Sequence, residues 1–203
     1  MLLKELCQDQ RFSSIIAITR RPLDFKANPL IPLQINSLDD LRDLSNFSNI
    51  QNIDVLFCCL GTTIKSAGSK DQFKKVDYEG VKILSDAAET LKIKHFILVS
   101  AAGANKNSSI FYNKVKGEAE DELLKHSIPN ITIFRPGLLI LERNEFRFGE
   151  LLAIKTMKLL NNIIPKTLTT SIATDGHALV QNMITYSVLE NPGRCIIEAR
   201  QIN

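Results

Sequence analysis

The sequence predicts a doubly wound α/β domain, a mostly parallel sheet with helices on both faces. Two observations carry that expectation. Short apolar, β-branched runs recur along the chain as continuous stretches, and the segments between them place apolar residues at helical spacing. Strands covered on both faces have no polar face to show, so they read as continuous runs. Alternation of such strands with amphipathic helices is the pattern of a doubly wound sheet.

In chain order, Leu2 to Asp9 reads as the C-terminal half of a helix, and Ile15 to Thr19 as the first strand, ending at Arg20 and Arg21. A weaker run covers Leu30 to Ile35, and a stronger one, Ile53 to Leu60, leads into Gly61, Thr62 and Thr63. Lys70, Lys74 and Lys75 read as the solvated face of a helix start, since lysines on helices sit in water. From Glu79 to Lys92, residues Val81, Leu84, Ala88 and Leu91 share one helical face. The run Phe96 to Ser100 opens into the small residues Ala101, Ala102, Gly103 and Ala104. A helix from Tyr112 to His126 comes next, with Val115, Ala119 and Leu123 facing the core. Ile131 to Phe134 and Cys195 to Glu198 supply two more strands, and Glu150 to Asn161 and Asp175 to Leu189 two more helices. With no repeat, low-complexity tract or linker, residues 1–203 are expected to form one domain, with a small substrate-side region from about Gly137 onward.

Composition excludes several functions. The 203 residues are 44% hydrophobic and 23% charged, enough for one domain with a proper core. The net charge of +3 is spread along the chain, which leaves no electrostatic footprint for nucleic acid. The longest apolar stretches fall far short of the roughly 20 residues that span a bilayer. The N-terminus lacks the basic start and apolar core of a signal peptide, so a cytoplasmic location without a membrane partner is expected. The four cysteines show no CxxC spacing, against both metal and disulfide readings. Adjacent in a strand, Cys58 and Cys59 read as small fillers of a strand buried on both faces, which suits a reducing compartment. The three histidines are scattered: His95 reads as a strand start, His126 as a helix C-terminus and His177 as near a helix start. None has ligand-like spacing, so no metal site is expected.

Ligands of a doubly wound sheet bind beyond the carboxyl ends of its strands. Arg20 and Arg21 stand at the first such end, where planar guanidinium donors suit a ribose 2′-phosphate and so favour NADP over NAD; a surface pair would use the same residues. Leu60, Gly61 and Thr62 stand at the next, where a glycine lets backbone approach a nucleotide and threonine offers hydroxyl and amide donors; a simple turn looks alike. At the third end stands Ser100, and Tyr112 and Lys116 lie one helical turn apart on the helix beyond it. An ammonium beside a phenol favours phenolate and lowers the tyrosine pKa from about 10, which makes it a usable acid or base. Tyr78 and Lys82 repeat the spacing, but no strand-end serine precedes them, and the pair reads as surface. A serine hydrolase lacks its GxSxG turn here.

Three segments together, CCLGTTIKSAGSKDQFKKVDYEGV, HFILVSAAGANKNSSIFYNKVKGEAE and IFRPGLLILERNEFRFGE, resemble the Tat-interacting oxidoreductase family of atypical short-chain dehydrogenases and its small bacterial relatives. The resemblance runs from about Leu2 to Glu150. It implies a Rossmann-like NAD(P)-binding fold, NADPH as cofactor and a catalytic group matching Ser100, Tyr112 and Lys116. In that group Tyr112 exchanges a proton with the substrate oxygen, Ser100 holds that oxygen, and Lys116 tunes the tyrosine and bonds the ribose. It further implies that Arg135, Pro136 and Gly137 border the nicotinamide and that Arg20 and Arg21 sit near the adenosine phosphate.

The family's first strand and glycine-rich turn, about a dozen residues, have no counterpart ahead of Leu2. In the strand order 3-2-1-4-5-6 that strand is central, so an N-terminally truncated sheet is expected to leave two neighbours with unpaired edges, and the pyrophosphate to lose a helix N-terminus. Two explanations stand: the chain start is assigned too far downstream, or the chain closes its sheet otherwise and binds cofactor weakly or not at all. The expected function is an NADP-dependent oxidoreductase acting on a small carbonyl or alcohol; the alternative is a non-catalytic nucleotide-sensing or protein-interaction module, and a weaker third is an inactive fragment. Neither the substrate nor the oligomeric state is indicated.

Overall fold

The structure is a computed structural model that describes residues 1–43, 52–140 and 173–202. Its centre is two adjacent parallel strands, β4 (His95–Val99) and β5 (Asn130–Arg135), paired from His95 opposite Asn130 to Val99 opposite Phe134. Phe96, Ile97, Leu98, Ile131, Ile133 and Phe134 are all essentially without solvent contact. That is why their runs read as unbroken: both faces of the sheet are covered. Each such side chain contributes on the order of 1.5–3 kcal/mol by leaving water.

The sheet extends in parallel on each side, to β3 (Val55–Cys58) along β4 and to β8 (Arg194–Glu198) along β5. On one face lie α4 (Gly80–Thr90) and α5 (Phe111–Leu124), which turn Val81, Leu84, Ala88, Ala119 and Leu123 onto Phe96, Leu98, Ile131 and Ile133. On the other lies α6 (Gly176–Ser187), whose Leu179 and Met183 pack on Ile97, Phe134 and Ile197. Strand alternation separates the two sets, since neighbouring residues of β4 and β5 point to opposite faces.

Before α4 the chain makes α2 (Ile64–Ala67) and α3 (Lys70–Lys74), each opened by a hydroxyl cap, Thr63 accepting from Ser66 N at 3.0 Å and Ser69 from Gln72 N at 3.1 Å. Gly68, in the left-handed region at φ +84°, ends α2. One π turn, Lys75–Glu79, then joins α3 to α4. Lys70, Lys74 and Lys75 are exposed, as expected.

A second parallel pair, β1 (Ile15–Thr19) with β2 (Leu30–Gln34), comes after α1 (Leu2–Gln8). Among the described residues β1 is bonded only to β2 and β3 only to β4, so the sheet is interrupted between β1 and β3. These are the two unpaired edges expected from the sequence. Side chains span the interruption: Phe57 of β3 packs in one cluster with Leu6, Ile15, Leu30, Val180 and Ile184, and its ring meets that of Phe12 at 6.4 Å.

The structure adds a short pair that the sequence pattern does not signal, β6 (Leu138–Ile140) with β7 (Ala173–Asp175), and a terminal turn, α7 (Ala199–Ile202). The expected helix Glu150 to Asn161 lies outside the described residues. One expectation is corrected: Cys58 is a buried filler, but Cys59 is exposed, because the ladder stops at Cys58 and Cys59 falls beyond it.

Candidate active site

The predicted catalytic residues and their neighbours lie just past the ends of β3, β4 and β5 and on α5. Ser100 is the residue after the last of β4, and its amide donates to Phe134 O at 2.7 Å, holding it against β5. The residue is buried, yet its Oγ has no hydrogen-bond partner among the described residues. Buried hydroxyls normally find partners, so the Ser100 hydroxyl is a candidate for a hydrogen bond to a bound molecule or to water. The loop beyond Ser100 is fastened twice, by Ala102 N to Pro136 O at 2.8 Å and by Asn105 N to Asn113 O at 3.0 Å.

Gly117 is what lets that loop lie on α5. A Cβ at this position would meet Lys106 N at 2.2 Å and Asn105 C at 2.3 Å, so only a glycine allows helix and loop backbone to approach so closely. An isolated glycine inside a helical pattern was the available signal for this contact.

Tyr112 lies in the first turn of α5, half buried, with its ring 5.5 Å from the fully buried Phe73 of α3. Burial raises its pKa above the usual 10; Lys116 opposes this, and the charge of Asp77 adds to it. The sequence expectation is thereby corrected. The ammonium pulls the phenol pKa down as anticipated, but desolvation outweighs it, and the phenol is protonated near neutral pH.

Lys116 is buried and does not stand alone: its Nζ lies 2.7 Å from Oδ1 of Asp77, a residue with no solvent exposure. The other carboxylate oxygen of Asp77 accepts from Thr62 N at 2.9 Å. Asp77 sits in the π turn, the kind of helix irregularity that often marks functional positions. Sequence reasoning passed over it because an acidic residue among KKVDYEG reads as helix surface. By contrast, Lys82 of the second Tyr and Lys pair is spent on Glu122 at 3.2 Å and Asp86 at 3.5 Å.

The remaining predicted residues divide. Gly61 is exposed, and a Cβ there would sit 3.6 Å from both Asp77 Oδ1 and Lys116 Nζ, so its backbone forms part of the wall beside the pair. Leu60 is half buried and belongs to the core, packed against the α4 and α5 layer. Pro136 is buried, and the Gly137 amide already donates to Thr174 Oγ1 at 2.9 Å. Arg135 is drawn into structure, paired with Glu120 of α5 at 2.6 Å and Glu198 of β8 at 2.9 Å. Its pKa is raised, chiefly by the hydrogen bond to Glu120. Arg20 and Arg21 are exposed at the end of β1 and form no ion pair with the described residues.

The histidines lie at the element positions expected from the sequence. His95 begins β4 and bonds Thr132 Oγ1 at 2.9 Å, His126 lies just past α5 and meets Asp86 Oδ1 at 2.9 Å, and His177 lies in the first turn of α6. Among the described residues no cluster of His, Cys, Asp and Glu could hold a metal, and no helix is long and apolar enough to cross a membrane.

Residues 1–151 match the family described as NAD(P)H-binding. The chain is 34% identical over 185 residues to Protein HTATIP2 of Rattus norvegicus, covering 91% of this chain and 76% of that protein. It is 31% identical to the FMP52 protein of Debaryomyces hansenii, named as mitochondrial, over 71% of this chain and 63% of that one. Among solved structures, MoeE5 in complex with UDP-glucuronic acid and NAD superposes with a TM-score of 0.69 at 14% identity, over 96% of this chain and 70% of that one. That likeness concerns the fold, a Rossmann-like sheet.

Proposed function

Because the chain belongs to the NAD(P)H-binding family of atypical short-chain dehydrogenases, we propose that it is an NADP-dependent oxidoreductase that reduces the carbonyl of a small molecule, with Tyr112 as proton donor. The observation that carries this reading is the unpartnered, buried Oγ of Ser100 just past the end of β4, followed in the chain by α5, the helix that carries Tyr112 and Lys116. An orphan hydroxyl there fits a substrate oxygen that accepts its hydrogen bond.

The residues present fit the nicotinamide and ribose end of the cofactor. Lys116 and the backbone at Gly61 and Thr62 would hold the ribose, Pro136 and Gly137 would border the ring, and Arg20 and Arg21, free of ion pairs among the described residues, would face the 2′-phosphate. The chemistry that NADPH supplies when bound is a hydride equivalent for the carbonyl carbon. Ser100 orients the carbonyl oxygen. Tyr112, a phenol rather than a phenolate at neutral pH, gives that oxygen its proton. The phenolate left behind is stabilised by the Lys116 charge and recovers a proton from solvent. Phe73 screens one side of the phenol from water. A reducing, cytoplasm-like compartment suits the four free cysteines.

The test is consumption of NADPH in the presence of a panel of aldehydes and ketones, by the wild type and by Tyr112→Phe. Activity on part of the panel, reduced ~100-fold or more in the variant with NADPH binding kept, is the expected result. NADPH binding with no turnover by either form across the panel would favour the non-catalytic nucleotide-sensing module.

A further inference from the structure

We propose that Asp77 is the positioning residue of this site: its buried carboxylate holds the Lys116 ammonium against Gly61 and ties it to the backbone amide of Thr62. The inference rests on the oxidoreductase reading for its purpose, though its geometry stands independently.

Three observations carry it. Asp77 is fully buried and Lys116 nearly so, with 6% of its side chain exposed, and their charged atoms lie 2.7 Å apart. Charges removed from water at this depth need each other, because a lone ion there has no solvent to replace its partner. The carboxylate is shared between two elements. One oxygen meets the Lys116 ammonium of α5 as an ion pair without a hydrogen bond, and the other accepts from the Thr62 amide in the turn after β3. That turn and α5 are the two walls to which the ribose is assigned, so Asp77 fixes their spacing. Finally, Asp77 reaches the interior through the π turn Lys75–Glu79, an irregularity between two stretches of regular helix. The extra residue of a π turn rotates the helix beyond it, which is how a carboxylate from a lysine-rich surface helix comes to point inward.

The consequence for chemistry is a balance of charge at the tyrosine. Tyr112 is faced by Lys116 from its own helix and by Asp77 from the π turn, and the two act on the phenol in opposite directions. The third titratable group beside the pair, Cys58 at the end of β3, has its thiol pushed up to about 12 by burial and stays neutral. With Asp77 present, Lys116 holds the ribose and steadies a transient phenolate without ionising Tyr112 in advance. A reductase needs its tyrosine protonated before the substrate arrives.

The test uses protein labelled with carbon-13 in its tyrosine rings, with the Tyr112 resonance assigned by Tyr112→Phe. In Asp77→Asn, which keeps the shape and the acceptor for Thr62, the Tyr112 phenol is expected to titrate about one pH unit below wild type, since an uncompensated ammonium now faces it. An unchanged midpoint in a folded Asp77→Asn protein would overturn the proposal. A second measurement needs no variant: the Lys116 ammonium protons of the wild type should exchange with water more slowly than those of the exposed Lys94 and Lys125. Exchange as fast as at those two would overturn it as well. Neither readout involves turnover, so a failure here is distinguishable from a failure of the oxidoreductase reading, which the NADPH assay decides.

Discussion

Replacing Gly117 by Ala sets a known gain against a calculable clash. Within a helix the exchange is worth about 1 kcal/mol in favour of Ala. The new methyl, however, would lie 2.2 Å from Lys106 N, 2.3 Å from Asn105 C and 2.6 Å from Asn105 Cα. Carbon contacts settle near 3.5–4.0 Å, so the loop backbone must retreat by more than about 1 Å. The obstacle is backbone rather than the free end of a side chain, and it cannot step aside alone. Retreat strains the Asn105 N to Asn113 O bond, a contribution of about 1 kcal/mol. Overpacking of this kind costs about 1–3 kcal/mol. The net destabilisation is about 1–3 kcal/mol, or a fall in Tm of roughly 2–12 °C for a chain of this size. Thermal unfolding followed by circular dichroism reads it. A Tm equal to or above wild type would refute the reasoning, because it would mean that helix and loop are not in backbone contact at Gly117.

Two further outcomes rest on the same packing. Arg135→Ala removes the partner of Glu120, whose side chain is only 4% exposed, and a buried carboxylate left unpaired costs about 3 kcal/mol or more; denaturant unfolding should show the loss, and Glu120→Gln in the same chain should restore part of it. His95 is buried and burial lowers its pKa from 6.5, so the unfolded chain binds the proton more readily and stability falls as pH drops below about 6.5. Tm measured across that range should show the slope in the wild type and lose that component in His95→Gln; an identical slope in both would contradict it.

The layering was legible in the sequence because it depends on pattern. Runs such as HFILV and NITIFR are unbroken since β4 and β5 are covered on both faces, and the spacing of Val81, Leu84 and Ala88 comes from the single face α4 turns inward. The interruption between β1 and β3 among the described residues also agrees with the unpaired edges expected from the sequence. What escaped depends on exceptions to pattern. Asp77 was hidden because only a π turn aims it at Lys116. The three-residue strands β6 and β7 are too short to show a period, and their pairing joins Leu138 to Ala173 across a long separation. The raised pKa of Tyr112 does not follow from the i, i+4 spacing with Lys116, since burial decides it, and burial depends on tertiary neighbours such as Phe73, distant in sequence.

The central claim is that NADPH binds beside Tyr112, and the most direct measurement is a titration of NADPH into the full chain while the ring signals of Tyr112 and Tyr186 are monitored by NMR. Tyr186 packs on Phe134 from the α6 side, the face of the sheet opposite α5, and serves as the internal reference. The expected result is a saturable shift of Tyr112 with Tyr186 unmoved. A Tyr112 signal that stays in place at NADPH concentrations well above those at which such cofactors ordinarily bind would contradict the claim.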